Sequence, residues 1–313
     1  MTFSILDEYL PSICQMKNAN VISKDSNLVP VLKEHFEGKL NLARIKFISL
    51  FIIALTKVRT VSFENLARAF DTQAEESSSL RRIQRFISSY SLDSDLIAKL
   101  IFSLLPNKEQ LTLSIDRTNW KFGKTDINIF MLGIVCQGVA FPLLFSMLKK
   151  RGNSSSQERI DLIERYINLF GKDTIESIVA DREFVGGKWL KYLNDNNLHY
   201  YIRIRNNFKV FIPKKNKTVK VFWLFNAFKI NEFVYYSNIV KRIEKLVLLI
   251  MVAFVWAYKV GIYIHENIKQ IEVKKHGRKA KTIFKTGLDF ITKCFLNGSY
   301  TPKFNIFEFL SCT

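Results

Sequence analysis

Between residues 107 and 205 the hydrophobic pattern of the chain changes period in a fixed succession, and few folds accept that succession. LTLSID (111–116) alternates apolar and polar residues, as a half-buried strand does, and stops at an acid. DINIFMLGIVC (126–136) and GVAFPLLFSMLK (138–149) are two more strand-like runs, joined at Gln137-Gly138, a pair suited to a tight turn. Ser154, Ser155 and Ser156 precede QERIDLIERYINLF (157–170), which places Ile160, Ile163, Ile167 and Phe170 on one helical face. TIESIVAD (174–181) reads as a short buried strand that again ends at an acid. FVGGKWLKYLNDNN (184–197) reads as a helix and HYYIRIR (199–205) as a strand.

Three antiparallel strands, helix, strand, helix, strand is the order of an RNase H-like core, a mixed sheet flanked by helices in the α/β class. That order makes the first and fourth strands neighbours and sets Asp116 and Asp181 at the ends of two strands of one sheet. A single strand-terminal aspartate is commonly a turn former or a helix cap. Two on neighbouring strands point to chemistry. Phosphodiester cleavage in such a core uses clustered carboxylates to hold two divalent ions about 3.5–4 Å apart, one for the attacking oxygen and one for the leaving oxygen. Hard Mg²⁺ or Mn²⁺ prefers oxygen donors, which accounts for carboxylates rather than His or Cys. A third acid is expected from a later helix.

The charge balance points to a polyanionic partner. Lys and Arg number 47 against 28 Asp and Glu, a net charge of +19. Such an excess repels itself in the compact state and suits nucleic acid or an anionic surface. A merely solvated basic surface is the alternative. Residues 1 to about 106 read as helical and as a DNA-binding region. In NLARIKFISLFIIALTKVR (41–59) the apolar residues follow a helical repeat. SFENLARAF opens at Ser62, and SSLRRIQRFISSY (78–90) sets Leu80, Ile83, Phe86 and Ile87 against a face bearing Arg81, Arg82 and Arg85. Two short helices with a cationic second member suggest helix-turn-helix-like DNA contact, although their separation exceeds that of the compact motif. The same pattern also fits an amphipathic helix with a solvated Arg face.

Residues 107–313 are assigned to the catalytic domain, with a short, basic, β-leaning insertion at about 206–238 and a basic helical tail. In that tail Lys269, Lys274, Lys275, Arg278, Lys279, Lys281, Lys285 and Lys293 outnumber Glu272 and Asp289, and a second DNA-contacting surface is expected there. The run LVLLIMVAFVWAY (246–258) holds 13 uninterrupted apolar residues. A membrane-spanning helix needs about 20, and Lys241, Arg242, Lys245 and Lys259 flank this one, so a helix buried on all sides is expected. A membrane span is the competing reading. The four cysteines, Cys14, Cys136, Cys294 and Cys312, form no CxxC pair, which argues against zinc and fits a reducing cytoplasm. The N-terminal MTFSILDEYLPSICQ lacks the pattern of a secretory signal.

Other candidates are weaker. Glu183 reads as a first-turn acid of the following helix or as a group behind the metal ligands. Trp120 and Trp189 read as packing residues rather than stacking platforms for an extruded base. His265 and His276 read as structural or surface residues. The sequence holds no GxxxxGK upstream of Lys188, no GxSxG and no HExxH, which removes three common enzyme classes.

LSIDRTNWKFGK (113–124) followed by IVADREFVGGKWLKYL (178–193) resembles the DDE transposases of the IS-four insertion-sequence family. The likeness runs from the helical N-terminus through IRIRNNFKVF (202–211), resumes at KRIEKLVLLIMVAFVWAYKVG (241–261) and continues to the C-terminus. The resemblance implies an RNase H-like core with Asp116 and Asp181 as first and second catalytic acids and as ligands of Mg²⁺ or Mn²⁺. It further implies cleavage and rejoining of DNA at terminal inverted repeats, carried out by oligomers assembled on transposon ends. The chain departs from the family pattern after the core. The family carries a larger β-rich insertion and then a helix spaced Y-x2-R-x3-E-x6-K, whose Glu is the third catalytic acid. No such spacing occurs between Tyr201 and Lys293. KINEFVYYSNIVKRIEKL reads as a junction across a deletion, with Glu232 before it and Glu244 beyond it as the substitute third ligand. Three functions therefore stand open: a transposase, a non-catalytic DNA-binding derivative that regulates transposition, and a membrane-associated basic protein.

Overall fold

Five helices precede the first strand: α1 (Leu28–Phe36), α2 (Leu42–Val58), α3 (Phe63–Arg68), α4 (Glu76–Ser89) and α5 (Ser94–Ser103). The computed structural model describes residues 28–122, 125–136, 139–148, 150, 152–204, 209–212, 217–220, 240–274, 279–296 and 304–310. Side-chain caps start three of these helices. Asn41 accepts from the Arg44 N–H, Ser62 from Asn65 and Asp93 from Asp95, each satisfying an amide that the first helical turn leaves open.

The strands follow as β1 (Leu111–Phe122), β2 (Thr125–Cys136) and β3 (Val139–Met147). After them come α6 (Ser156–Phe170), β4 (Ile175–Ala180), α7 (Gly187–Asp195) and β5 (Tyr200–Ile202). They build one mixed five-stranded sheet in the order β3-β2-β1-β4-β5. The β1–β2 and β2–β3 pairs are antiparallel, whereas β1–β4 and β4–β5 are parallel. Parallel neighbours need a crossover, and α6 and α7 supply the two required. A capping box fixes the start of α6: Ser155 accepts from the Glu158 N–H, and Glu158 accepts from the Ser155 N–H. The expected mixed α/β architecture is thus present.

β1 is longer than the alternation in LTLSID indicates. Beyond Ile115 it continues for seven residues, Asp116 to Phe122, which among the described residues pair with β2 alone, so β1 and β2 form a two-stranded arm that runs past the end of β4. Trp120 lies on that arm and is 41% exposed; Trp189, on α7, is fully buried. The chain goes on through β6 (Lys209–Ile212) and β7 (Lys217–Lys220), an antiparallel pair, then α8 (Val240–Asn267) and α9 (Ile283–Leu296).

The chain divides into two compact units, one of Met1–Arg85 with Val252–Thr313 and one of Phe86–Met251. This division differs from the boundary near residue 106 read from the sequence. In the second unit α5 packs on β3. Its Asp95 accepts from Arg165 Nε at 2.7 Å, and its Phe102 stacks on Phe170 at 4.2 Å between ring centroids. Lys245 of the same unit is buried and donates to the Ile87 carbonyl at 2.8 Å, satisfying an open carbonyl at the C-terminal end of α4.

In the first unit α2 and α9 are locked by polar contacts. Arg59 closes α2 in the left-handed region at φ 56° and forms an ion pair with Asp289 at 2.8 Å. Thr292 on α9 donates to the Thr56 carbonyl at 2.9 Å. Within the same unit α8 and α9 meet at glycines: a Cβ at Gly261 would strike the Ile283 backbone, and one at Gly287 would strike the Ala257 carbonyl. α8 is the one helix among the described residues long and apolar enough to cross a membrane, by length and composition. An 18-residue apolar window of it is 67% buried and Ile250 is 41% exposed, so the helix is mostly buried rather than buried on all sides.

Candidate active site

Asp116 and Asp181 become neighbours through strand register. Ile115 and Ala180 are Cα partners in the parallel β1–β4 pair, and each aspartate is the next residue of its own chain segment. Asp181 keeps an extended backbone (φ −79°, ψ 171°), so it continues the line of β4 before the single 3-10 turn Arg182–Phe184. Neighbouring strands lie about 4.7–4.9 Å apart, and residues level with one another on parallel strands share a face. Both aspartates are exposed. Oδ1 of Asp116 accepts the Arg117 N–H at 2.7 Å, and Oδ1 of Asp181 lies 3.9 Å from Arg203 Nη1.

Glu183 lies two residues beyond Asp181. The structure sets it in the 3-10 turn, ahead of α7, which begins only at Gly187; it is not a first-turn acid of that helix. Its carboxylate receives a two-pronged contact from Arg117, Nε to Oε1 at 2.8 Å and Nη2 to Oε2 at 2.9 Å. Arg117 also reaches Asn128 Oδ1 at 3.4 Å and Asn153 Oδ1 at 3.3 Å. Asn128 in turn donates to the carbonyls of Lys150 and Gly152. Arg159, buried on α6, donates to the Glu183 carbonyl at 3.1 Å and to the Ser154 carbonyl at 2.6 Å. Its guanidinium sits over the Phe184 ring. Burial pulls the Arg159 pKa below its ordinary value, and the charges of Glu183 and Glu158 oppose that shift.

Asp116 and Asp181 carry exposed carboxylates, the oxygen donors that hard divalent cations prefer. Among the described residues no group of three or more His, Cys, Asp or Glu side chains assembles in a way that could hold a metal ion. Glu244, half-buried near the start of α8, is therefore not brought into a three-carboxylate cluster with the two aspartates. Glu232 lies outside the described residues.

The cations divide by location. Arg81 and Arg85 are exposed on α4, whereas Arg82 is half-buried with its guanidinium 5.7 Å from the Phe47 ring centroid. Residues 69–75 separate α3 from α4, a span longer than the three- or four-residue turn of a compact helix-turn-helix. Lys274 and Lys279 are exposed, and Lys279 pairs with Val273 in an isolated antiparallel bridge; Lys275 and Arg278 lie outside the described residues. His265 is structural: Nδ1 accepts from the Ile271 N–H at 2.9 Å, and Nε2 lies 3.0 Å from Lys279 Nζ.

The residues that sequence reasoning undervalued are Arg117 and Glu183. The available signal was the placement of an Arg directly after the first acid and a Glu two positions after the second. Compared with protein-family models and with curated proteins, the chain matches none.

Proposed function

We propose that this chain is a DNA-binding protein of the DDE-transposase type, built on an RNase H-like core and retaining two of the three catalytic acids. The reading is supported above all by one observation: Asp116 and Asp181 each follow the last partners, Ile115 and Ala180, of the central parallel pair. The strand order β3-β2-β1-β4-β5 and the directions within it support the RNase H-like assignment. The net charge of +19 supports a polyanionic partner. DNA at terminal inverted repeats is the partner in this reading, held by an oligomer of the chain, with Arg81, Arg82 and Arg85 on α4 and the basic stretch around Lys274, Lys275, Arg278 and Lys279 as phosphate contacts.

Two adjacent carboxylates suit one Mg²⁺ or Mn²⁺ ion, whose chemistry when bound would be to polarise a phosphate oxygen and lower the pKa of water. A two-ion clamp requires more negative charge than two aspartates supply, because each lost carboxylate leaves the ions less neutralised. The chain therefore binds transposon ends and has little or no strand-transfer activity. It acts as an occupant of ends rather than as an efficient enzyme.

The test is incubation of the purified full chain with a duplex of the inverted repeat that flanks its own locus, with and without Mn²⁺. Preferential binding of that duplex over a scrambled one, with no appreciable nicking, is the expected result. Equal affinity for both duplexes would remove the end-binding role. Efficient nicking that disappears in Asp116→Ala would show that another group replaces the third acid.

A further inference from the structure

We infer that Arg117 and Glu183 form a positioning pair that holds Asp181 level with Asp116, and that Glu183 is not itself a metal ligand. The inference rests on the reading of the two aspartates as a joint site for a divalent cation, and it assigns that site's supporting residues.

The geometry makes the case in three steps. Asp181 is the first residue beyond β4, so the sheet hydrogen bonds that fix Ala180 no longer constrain its side chain. Two residues later the turn is gripped from both sides. Arg117, the residue after Asp116, takes the Glu183 carboxylate in a fork, and Arg159 takes the Glu183 carbonyl. A forked guanidinium–carboxylate contact fixes orientation as well as distance. Each aspartate is thereby tied, one or two residues away, to the same ion pair.

The fork also says what Glu183 does not do. Both of its carboxylate oxygens already accept from Arg117 at 2.8 and 2.9 Å, and the Arg117 side chain is largely buried, with 11% of its surface exposed. A cation coordinated by Glu183 would have to break that contact next to a fixed positive charge. Groups that orient metal ligands from behind commonly contribute 10- to 100-fold in metal affinity.

The experiment is Mn²⁺ binding to the full chain followed by electron paramagnetic resonance, with thermal melting of every variant. Asp116→Asn reports on the underlying site and should abolish binding. Glu183→Gln and Arg117→Met should each weaken Mn²⁺ by about 10- to 100-fold, and the double variant should bind no worse than the weaker single. Arg117→Lys keeps the charge without the fork and should fall between wild type and Arg117→Met. That milder variant also carries the test if Arg117→Met fails to fold. Tighter Mn²⁺ binding in Arg117→Met would mean that Glu183, once released, is a ligand, and would overturn the proposal. Lowered melting temperatures with unchanged Mn²⁺ affinity would reduce the pair to a structural clasp and overturn it as well. A wild-type chain whose Mn²⁺ binding ignores Asp116→Asn would sink the site itself, and the positioning role with it.

Discussion

Ile115 on β1 and Ala180 on β4 are the last partners of a parallel strand pair, and an aspartate follows each of them. The same two strands then diverge in fate. β1 continues for several residues in its arm with β2, while the chain after β4 turns at once into a 3-10 turn pinned by Arg117 and Arg159. The two acids therefore sit where a regular sheet ends and a tethered turn begins. One is held by ladder hydrogen bonds and the other by side chains.

DNA binding is expected to weaken steeply with salt, because each phosphate neutralised releases a counterion and adds about −0.9 to the log–log slope. Arg81 on α4 is exposed, so Arg81→Ala should make the slope shallower by about one and leave the melting temperature unchanged. Arg82 sits over the Phe47 ring, and Arg82→Ala should also cost about 0.5–1 kcal/mol of stability. Salt titrations of duplex binding, run beside thermal melts, distinguish the two.

Acid should destabilise the unit that contains α2 and α9. Partial burial raises the Asp289 pKa, but hydrogen bonds from Lys285, Lys281 and Arg59 outweigh it and hold the group down at about 2. A carboxyl whose folded pKa lies below its unfolded one contributes stability above the unfolded value, about 3.9, and loses it as pH falls through the folded value. Urea unfolding should therefore show stability dropping between about pH 4 and pH 2. Asp289→Asn should be less stable at neutral pH and should flatten that drop.

Close packing of α8 on α9 depends on two glycines. A Cβ at Gly287 would meet the Ala257 carbonyl, a backbone group that cannot rotate away. Gly287→Leu should lower stability by about 1–3 kcal/mol or more, read as a shifted denaturation midpoint. Gly187, at the start of α7, has nothing within 4 Å of a built Cβ. Gly187→Ala is the control and should be neutral or slightly stabilising.

Local pattern was enough for the sheet unit, and contacts distant in sequence were not. Strand alternation and helical periodicity located β1 to β5, α6 and α7 because each of those signals spans only a few residues. The arm of β1 lies beyond the alternation of LTLSID, because Arg117, Asn119 and Lys121 carry no apolar signal and pairing with β2 is what extends the strand. Trp120 is 41% exposed because its stretch of β1 has, among the described residues, β2 alone as a sheet neighbour. The grouping of residues 252–313 with the N-terminal helices rests on pairs such as Arg59–Asp289 and Thr56–Thr292. No periodicity carries such information. The two aspartates were legible from strand ends, whereas the Arg117–Glu183 contact needed the β1–β4 register to bring it into view.

The most direct test of the account is a double-mutant cycle on Mn²⁺ affinity with Asp116→Asn, Asp181→Asn and the pair. Side chains that share one ion are coupled: each single change should remove most of the binding, and the double change should add little further loss. Additive losses, or Mn²⁺ binding that survives both substitutions, would show that the two carboxylates do not act on a common cation.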